Sequence, residues 1–274
     1  MTAASTRTMG ASLVRADRSA SRRSRDVPAR GHSPRTARQR PNEEAPHGAV
    51  SIQEAAVLFA DTVGFTRISE DLESARVIGF LRQFHMRMAS MVYRHGGRAN
   101  DYVGDAIMAV FSTPHHQRHE AANALACAFD MIEAIDAWNA KLEIARCFPI
   151  RIGVGIHFGV VVMGLSGARR HQEHAVVGDT VNVARKLGSL TRQLNASIVI
   201  SEDVARAAAH RPCDDYVVAG MTAYGMRRLP GRQKSISMLG IDRNSIHCSG
   251  IARGNLRAAK THAEWSPQVT PSRA

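Results

Sequence analysis

A short apolar run that ends in a carboxylate constrains this chain more than any other feature. Val57 to Ala60 are four consecutive apolar residues, and Asp61 follows them directly. Such a run predicts a buried strand with a carboxylate at its C-terminal end. Gly64 permits a tight turn there, and Thr66 or Ser69 is in position to cap a following helix. A carboxylate beside the free N–H groups of a helix start suits a cation that also binds phosphate oxygens.

A second carboxylate is predicted at the tip of a hairpin. Tyr102-Val103 and the run from Ala106 to Phe111 flank a two-residue Gly-Asp turn that contains Asp105. If this hairpin and the first strand are neighbours in one sheet, Asp61 and Asp105 together can bind one or two divalent cations. The alternative is that both are ordinary turn or cap residues, and residue spacing alone leaves the two interpretations open.

Hydrophobic periodicity predicts alternating strands and helices along the rest of the chain. Helices are expected over about Leu72–His95, Glu120–Leu142 and Asp179–Leu194, with a short one after a Ser201 cap. Strands are expected at residues 98–102, 150–157, 160–164, 197–200, 216–219, 226–229 and 235–239, with a turn at Phe158-Gly159 between the second and the third. Gly153 and Gly155 indicate close backbone approach on one face. The order predicts an α+β fold, a ferredoxin-like βαββαβ sandwich with additional strands.

The positive charge of the chain is concentrated at its ends. The formal net charge is +12, and residues 1–48 hold ten arginines, no lysine and four acidic residues. We expect a disordered basic tail over 1–48, a globular domain over 49–241 and a second disordered tail over 242–274. The first tail is also compatible with contact to nucleic acid or anionic lipid, or with a transit peptide.

Cysteine usage and hydropathy bear on the compartment and the partners. The four cysteines form no C-x-x-C pair, which favours reduced thiols and a cytoplasmic protein. No apolar run reaches the roughly 18 residues that would predict a membrane span. Three histidines follow Pro114, at 115, 116 and 119, and a solvent-exposed loop is a better interpretation there than a metal site. No aromatic stacking platform or DNA-binding motif supports a nucleic-acid partner in the core.

Three segments of the sequence resemble a known family. Residues 59–66 (FADTVGFT), 103–111 (VGDAIMAVF) and 177–184 (VGDTVNVA) resemble, in this order, motifs of the class III adenylate/guanylate cyclase catalytic domain. The resemblance covers about residues 52–240 and implies a fold of the class III nucleotide cyclase type. It also implies that Asp61 and Asp105 hold two divalent cations, Mg²⁺ or Mn²⁺. The implied reaction is attack of the ribose 3′-hydroxyl on the α-phosphate of a nucleoside triphosphate, with release of pyrophosphate.

The resemblance also implies roles for substrate-binding and catalytic residues. Residues of the first motif, namely Thr62, Gly64, Phe65 and Thr66, would contact the ions and the triphosphate through their backbone, and Arg232 resembles a basic residue on the terminal phosphates. Asn182 falls on the asparagine that orients the ribose. The family carries a charge-stabilising arginine four residues later, where this chain has Lys186, with Arg185 one residue earlier. Lysine keeps the charge but loses bidentate geometry, which predicts low turnover.

The two positions that read the base in the family also differ here. Adenylate-type members carry lysine at the position of Asp101 and an acid or threonine at the position of Ala175, whereas guanylate-type members carry glutamate at the first position. An ionised Asp101 cannot donate a hydrogen bond, and the side chain of Ala175 has no polar atom. These residues lean towards guanine or a loose site. Bacterial-type members of the resembled family lean towards ATP, and we therefore expect ATP to be slightly favoured over GTP.

The family arrangement implies a homodimer, since the metal carboxylates come from one subunit and the asparagine and arginine from the other. The polar loop at residues 167–174 is the segment that reaches across the interface in the resembled family. The alternative to an active cyclase is a regulatory or dimerisation module that keeps the fold but has weak or no catalysis. A nucleic-acid-binding protein is a third hypothesis and rests only on the basic tails.

Overall fold

The computed structural model describes residues 50–112, 119–142, 149–166, 173–209, 218 and 220–243. Thirteen helices and strands lie within these ranges. In chain order they are β1 (Ser51–Thr62), α1 (Phe65–Asp71), α2 (Ser74–Arg94), β2 (Arg98–Val103), β3 (Ala106–Phe111), α3 (Glu120–Asn139), β4 (Ile152–Ser166), β5 (Glu173–Val177), α4 (Asp179–Gln193), β6 (Ala196–Ser201), α5 (Glu202–Ala208), β7 (Thr222–Arg228) and β8 (Ser235–Asp242).

Eight strands form one sheet with the order β2-β3-β1-β4-β6-β8-β7, and β5 pairs with β4 outside this path. The segment β2-β3-β1-β4 is the strand order of a ferredoxin-like unit, and β1 runs antiparallel to both of its neighbours. The α+β prediction is therefore confirmed. The order also makes β1 a central strand whose C-terminal end lies beside the β2–β3 hairpin.

The two faces of the sheet bury different sets of residues. Even-numbered residues of β1, such as Leu58 and Ala60, pack in the large core under α2, α3 and α5. Odd-numbered residues, such as Val57 and Phe59, face α4 together with Met108 of β3. This period-2 alternation puts Asp61 on the α4 face of the sheet. A functional site at the end of β1 therefore depends on where α4 lies.

Two glycines of β4 let α4 approach the sheet closely. A Cβ atom at Gly153 would collide with the side chain of Thr191, and one at Gly155 would collide with the backbone of Gly188. The predicted close approach at these two glycines is confirmed. Helix α4 is thus seated directly on the β4 backbone, which determines where its side chains lie relative to β1.

The predicted turn at Phe158-Gly159 is wrong. β4 continues without a break from Ile152 to Ser166, and Phe158 and Gly159 pair with Ala56 and Ala55 of the long β1. The physical reason is that β1 begins at Ser51 and pairs with β4 from Ile152 to Met163, and β5 pairs with the remaining residues of β4. The strand that returns along β4 is β5, which was not predicted as a strand.

Both predicted serine or threonine caps are also wrong. Helix α1 begins at Phe65 with Gly64 in the left-handed region (φ 81°) at the cap position, so neither Thr66 nor Ser69 caps it. Ser201 does precede α5, but its hydroxyl shares a 2.7 Å hydrogen bond with Nδ1 of the buried His157. That hydroxyl therefore joins β6 to β4 instead of capping the helix.

Several predictions fall outside the described residues. They are the two tails (1–48, and 242–274 apart from the first two residues), the histidines at 115 and 116, the polar loop up to residue 172, and most of the strand at 216–219. Of the four cysteines, Cys127 is described; it is a buried free thiol. No helix among the described residues is long and apolar enough to cross a membrane.

Candidate active site

The end of β1 and the tip of the β2–β3 hairpin bring two carboxylates together, as predicted. Asp61 pairs in register with Ala106, the residue that follows Asp105. The fully buried Thr62 donates a short hydrogen bond from its hydroxyl to Oδ2 of Asp105. We call this group of Asp61, Thr62 and Asp105 the carboxylate edge. Two strand ends, both anchored in the core, determine its geometry.

Asp61 is a carboxylate that lacks part of its solvation. The pKa of its carboxyl group is raised to about 6, because burial raises it most, Arg192 lowers it, and the nearby Asp105 raises it. Oδ1 of Asp61 is buried and has no hydrogen-bond partner among the residues that the structure describes. A buried carboxylate oxygen without a partner is costly, and a bound cation would remove this cost. The chemistry of the carboxylate edge therefore fits a divalent cation.

The carboxylate edge has two acidic side chains, and it lacks a complete set of protein ligands. Among the described residues, no group of three or more histidine, cysteine or acidic side chains is arranged to hold a metal ion. Mg²⁺ is usually bound by one or two carboxylates, with the remaining ligands from water and substrate phosphates. The carboxylate edge suits such an open site and does not suit a closed structural one.

A cationic side chain of the same chain already contacts this edge. Nη2 of Arg192, in the last turn of α4, donates to Oδ2 of Asp61 at 2.9 Å and to the carbonyl oxygen of Thr62 at 3.2 Å. The Arg192 side chain is 50% exposed and that of Asp61 is 25% exposed. Arg192 thus neutralises one oxygen of Asp61 and leaves the other without a partner.

The hairpin tip is supported from the helix side by His85. Gly104 adopts a left-handed conformation (φ 59°), as expected for a tight turn before Asp105. Burial lowers the pKa of the imidazole of His85 on α2, and the Gly104 backbone beside this ring raises the pKa by a smaller amount. Its ring also packs on Tyr102, with 4.8 Å between the centroids. His85 therefore helps to position Asp105 from behind.

The predicted phosphate-binding segment follows the carboxylate edge directly. The first-turn N–H groups of α1 have no intrahelical partner, which leaves them available to an anion. The ring of Phe65 stacks on Phe80 at 5.9 Å, so only the Phe65 backbone is free for a ligand. The exposed Arg151 lies next to this segment, because its carbonyl oxygen accepts from Val63 N–H at 2.8 Å.

The three catalytic candidates of α4 lie along its outer surface. Asn182 and Arg185 are exposed and Lys186 is half-buried. The neighbouring residues Val183 and Leu187 are fully buried. The guanidinium of Arg185 lies over the ring of Phe59, 5.1 Å from its centroid. Asn182 and Lys186 are one turn apart, so both can face the same ligand.

Lys186 belongs to a cluster of positive side chains beside the β7–β8 turn. A Cβ atom at Gly231 would lie 3.9 Å from Nζ of Lys186. Nη2 of Arg232 forms a 2.8 Å ion pair with Asp179 at the start of α4. Nε of Arg228 donates to the Arg232 carbonyl oxygen at 3.0 Å. We call Lys186, Arg228 and Arg232 the cationic cluster, and it holds two of the predicted site residues.

The two predicted base-reading residues lie on strands that approach each other. Asp101 is exposed in β2, where its Oδ1 accepts the Tyr102 N–H at 2.8 Å, and it forms no ion pair with Arg98 or Arg151 among the described contacts. A bulge between Ala99 and Asp101 changes the alternation, so Asp101 pairs with Met108 on the α4 face. Ala175 is half-buried in β5, which passes close to β2.

The carboxylate edge and the cationic cluster are separated along α4. Asn182 and Arg192 are ten residues apart, and the rise of an α-helix places their Cα atoms about 15 Å from each other. Arg192 touches the carboxylate edge, whereas Asn182 lies in the first turn of the helix and Lys186 at its middle. One copy of the chain therefore does not bring all the predicted residues together.

Three residues near the carboxylate edge were not predicted from the sequence. Arg192 contacts a residue 131 positions away, and no local pattern indicates that contact. His85 follows Leu81 by four residues on the stripe of α2, and a polar residue beside an apolar stripe was the available signal. Arg151 precedes a buried strand, where its backbone bond to Val63 could not be foreseen.

Comparison with known proteins gives the same family for most of the chain. Residues 48–237 match a family model described as the adenylate and guanylate cyclase catalytic domain. An adenylate cyclase of Anabaena cylindrica is 36% identical over 166 residues, which is 58% of this chain and 32% of the relative. Adenylate cyclase 2 of Rhizobium meliloti (strain 1021) is 30% identical over 198 residues, covering 72% of this chain and 52% of the relative. The chain thus spans between a third and a half of the lengths of these two relatives.

Solved structures resemble the fold over a similar range. The crystal structure of the guanylyl cyclase Cya2 has 26% sequence identity and a TM-score of 0.60, covering 70% of this chain and 92% of that chain. The adenylyl cyclase CyaB from P. aeruginosa has 22% identity and a TM-score of 0.60, covering 70% and 95% respectively. At that identity the second structure supports the fold alone.

Proposed function

This chain belongs to the family of adenylate and guanylate cyclase catalytic domains, and we propose that it converts a purine nucleoside triphosphate to the 3′,5′-cyclic monophosphate and pyrophosphate. The observation that carries the proposal is the carboxylate edge, where Asp61 and Asp105 meet and one buried oxygen of Asp61 has no partner. The family's cyclisation reaction requires a cation at such a place. A cyclic nucleotide produced in the cytoplasm would serve as a second messenger.

Asp61 and Asp105 are the groups that would hold divalent cations, Mg²⁺ or Mn²⁺. When bound, two cations supply charge for the triphosphate and lower the pKa of the attacking hydroxyl. Asp61 and Asp105 contribute anionic oxygens, and Thr62 keeps Asp105 in place with its hydroxyl. The backbone from Thr62 to Thr66 follows this edge directly and would bind the polyphosphate, and Arg151 is a further candidate because its carbonyl oxygen accepts from Val63 N–H.

The outer surface of α4 would orient the reacting groups. Asn182 presents an amide that can hydrogen-bond to the ribose and hold it in one orientation. Lys186 and Arg232 offer positive charge to the transferring and terminal phosphates. Lysine presents a point charge where arginine would make two parallel hydrogen bonds, so we expect a slow enzyme. Arg185, whose guanidinium lies over the ring of Phe59, would add a further positive charge to this surface.

We propose that the active form is a homodimer with two shared sites. The separation of about 15 Å along α4 supports this, since reacting atoms must come within a few ångströms of each other. In such a dimer the carboxylate edge of one copy faces Asn182 and Lys186 of the other. An isologous arrangement repeats the same pairing at the second site.

A mixing experiment tests the shared site. Asp61→Asn and Asn182→Ala each inactivate both sites of their own homodimer. Mixing the two variants forms dimers in which one site has an intact Asp61 and an intact Asn182. We expect about a quarter of the wild-type specific activity, because half of the dimers are mixed and each of these has one good site. A mixture as inactive as its parents would mean that each copy works alone.

ATP is the slightly favoured substrate, and the difference from GTP is small because Asp101 carries a carboxylate. An ionised Asp101 can accept hydrogen bonds from guanine but cannot donate one to adenine N1. The two relatives from Anabaena cylindrica and Rhizobium meliloti are named as adenylate cyclases, and Cya2 is a guanylyl cyclase. Ala175 adds no polar contact, which favours a loose base site.

Product formation by the full-length protein tests the proposal directly. Purified protein is incubated with Mn²⁺ and either ATP or GTP, and the cyclic product and pyrophosphate are quantified. The Asp61→Asn/Asp105→Asn double variant is the negative control, and Arg206→Gln on the exposed surface of α5 is the positive control. No product from a folded dimer with either nucleotide would favour the alternative, a catalytically inactive regulatory or dimerisation module. That alternative is supported by Lys186, Asp101 and Ala175, which differ from the residues that the family carries at these positions.

A further inference from the structure

The carboxylate edge carries a built-in cation. The Arg192 guanidinium bonds with one nitrogen to two oxygens of consecutive residues, Oδ2 of Asp61 at 2.9 Å and the Thr62 carbonyl at 3.2 Å. A carboxylate and a neighbouring backbone carbonyl are hard oxygen ligands of the kind that Mg²⁺ and Mn²⁺ prefer. Arg192 therefore occupies the same oxygens that a divalent cation would use.

The contact depends on the position of the end of α4. The absence of a side chain at Gly153 allows Thr191 to lie against β4, and Arg192 is the next residue. The hydroxyl of Thr191 donates to the Gly188 carbonyl oxygen at 2.6 Å, which holds it close to the helix. The backbone of α4 is therefore anchored here, and only the Arg192 side chain is free to change its contacts.

The Arg192 contact is strong enough to compete and weak enough to be displaced. Half of the Arg192 side chain is exposed, so it can move into solvent without opening the core. Ion pairs with this exposure contribute little stability on their own. A divalent cation bound to either oxygen of Asp61 would lie close to the guanidinium and repel it. Metal binding and the Arg192 contact therefore oppose each other.

We infer that Arg192 is a tethered counter-ion of the metal site, which occupies the Asp61 and Thr62 oxygens in the metal-free protein and is displaced when a divalent cation binds. Arg192 thereby sets the concentration of Mg²⁺ or Mn²⁺ at which the site fills. This inference rests on the proposed function, because it takes Asp61 as a metal ligand. It makes Arg192 a residue whose removal strengthens metal binding.

Direct measurement of Mn²⁺ binding tests the inference without any turnover. Free Mn²⁺ is followed by electron paramagnetic resonance while full-length protein is titrated in the absence of nucleotide. We expect Arg192→Ala to bind Mn²⁺ about five-fold more tightly than the wild type, a factor that corresponds to a half-exposed ion pair. Arg192→Lys keeps the charge on a shorter side chain, so its affinity should fall between the two.

Two charge-matched variants separate direct competition from a general loss of positive charge. Arg76→Ala removes an exposed cation from α2, and Arg206→Ala removes one from α5. Both should bind Mn²⁺ within about two-fold of the wild type, which is the expected size of a surface-charge effect. Equal tightening in Arg76→Ala and Arg192→Ala would overturn direct competition in favour of a long-range field.

The remaining outcomes distinguish this inference from the proposed function. Unchanged or weaker Mn²⁺ binding by Arg192→Ala, with binding still lost in Asp61→Asn, overturns the role of Arg192 and leaves the metal site in place. Binding that is absent in every variant, or indifferent to Asp61, overturns both. Circular dichroism of each variant verifies the fold, and Arg192→Lys provides the answer if Arg192→Ala does not fold.

Discussion

The carboxylate edge lies at the last turn of α4, the cationic cluster lies beside its first half, and the two regions are built in different ways. The carboxylate edge is formed by the ends of two central strands, and its anionic groups have an unsatisfied buried oxygen. The cationic cluster lies on a helix surface and a turn, and Arg232 is already paired with Asp179 of the same chain. The first region retains the residues expected of the family, whereas Lys186 departs from it in the second.

This difference shows which half of the site depends on a second copy of the chain. Strand ends in a packed core determine the position of Asp61, so its chemistry is ready within one copy. Lys186 and Asn182 project from an outer helix face, and their usefulness depends on what is brought against that face. We therefore expect changes at the carboxylate edge to have larger effects than changes at the cationic cluster.

Removing a carboxylate should have the largest effect. Asp61→Asn or Asp105→Asn should lower kcat/KM by about a thousand-fold or more, because cations that supply several kcal/mol of charge stabilisation are lost. Steady-state assays with Mn²⁺ measure this, and Asp71→Asn at the exposed end of α1 is the matched control. A loss below ten-fold would place the metal site elsewhere.

Asp61→Asn should also stabilise the metal-free protein against unfolding above pH 6. The folded-state pKa of Asp61 is about 6, above its ordinary value of 3.8, so the folded protein binds this proton more tightly than the unfolded chain. The associated stability is complete below pH 3.8 and is lost as the pH rises through 6. We expect Asp61→Asn to be about 2 kcal/mol more stable than the wild type at pH 7.5, after allowance for solvent screening.

Urea unfolding in EDTA at several pH values measures this difference. The advantage of Asp61→Asn should shrink as the pH falls towards 4, and added Mn²⁺ should stabilise the wild type but not the variant. A constant difference across this pH range would show that ionisation of Asp61 is not its cause.

Restoring an arginine should sharpen the comparison from the other side. Lys186→Arg should raise kcat by about ten-fold, since a forked guanidinium bonds a phosphate through two hydrogen bonds. The corresponding Lys234→Arg change, after the β7–β8 turn, is the matched control. If kcat falls instead, the cationic cluster is adapted to lysine, and its departure from the family is not a defect.

The smallest effect is expected at the base-reading position. Asp101→Lys should shift the ratio of kcat/KM for ATP over GTP towards ATP by about five-fold, because it replaces an acceptor by a donor. Asp101→Glu should shift the ratio towards GTP. Competition assays with both nucleotides present measure the ratio directly, and an unchanged ratio in both variants would mean that residue 101 does not contact the base.

Local patterns predicted the carboxylate edge, because an apolar run followed by Asp61 and a Gly-Asp turn are readable over a few residues. Periodicity did not predict the continuous β4, since a glycine within a strand and a glycine within a turn look the same in sequence. The face on which Asp101 lies depends on the bulge after Ala99. That bulge reverses the side assigned by simple alternation, and only the pairing with β3 reveals it.

The Arg192 contact illustrates the limit more generally. It joins residues that are far apart in sequence, and it exists because two glycines of β4 let α4 lie directly on the strand. Sequence spacing predicted that close approach but not the partner it creates. Long-range side-chain contacts of this kind follow from the packed fold and from no single segment.

Helix α4 has a consequence for communication between sites. In the proposed dimer it serves two sites at once, with Arg192 on the carboxylate edge of its own copy and Asn182 on that of the other. Because Arg192 and Asn182 belong to one helix, any change in α4 that accompanies metal binding at the first site also reaches the second site. Linkage is reciprocal, so a nucleotide at the second site that alters metal affinity at the first has its own affinity altered by that metal by the same factor. The Hill coefficient for Mn²⁺ measures this coupling.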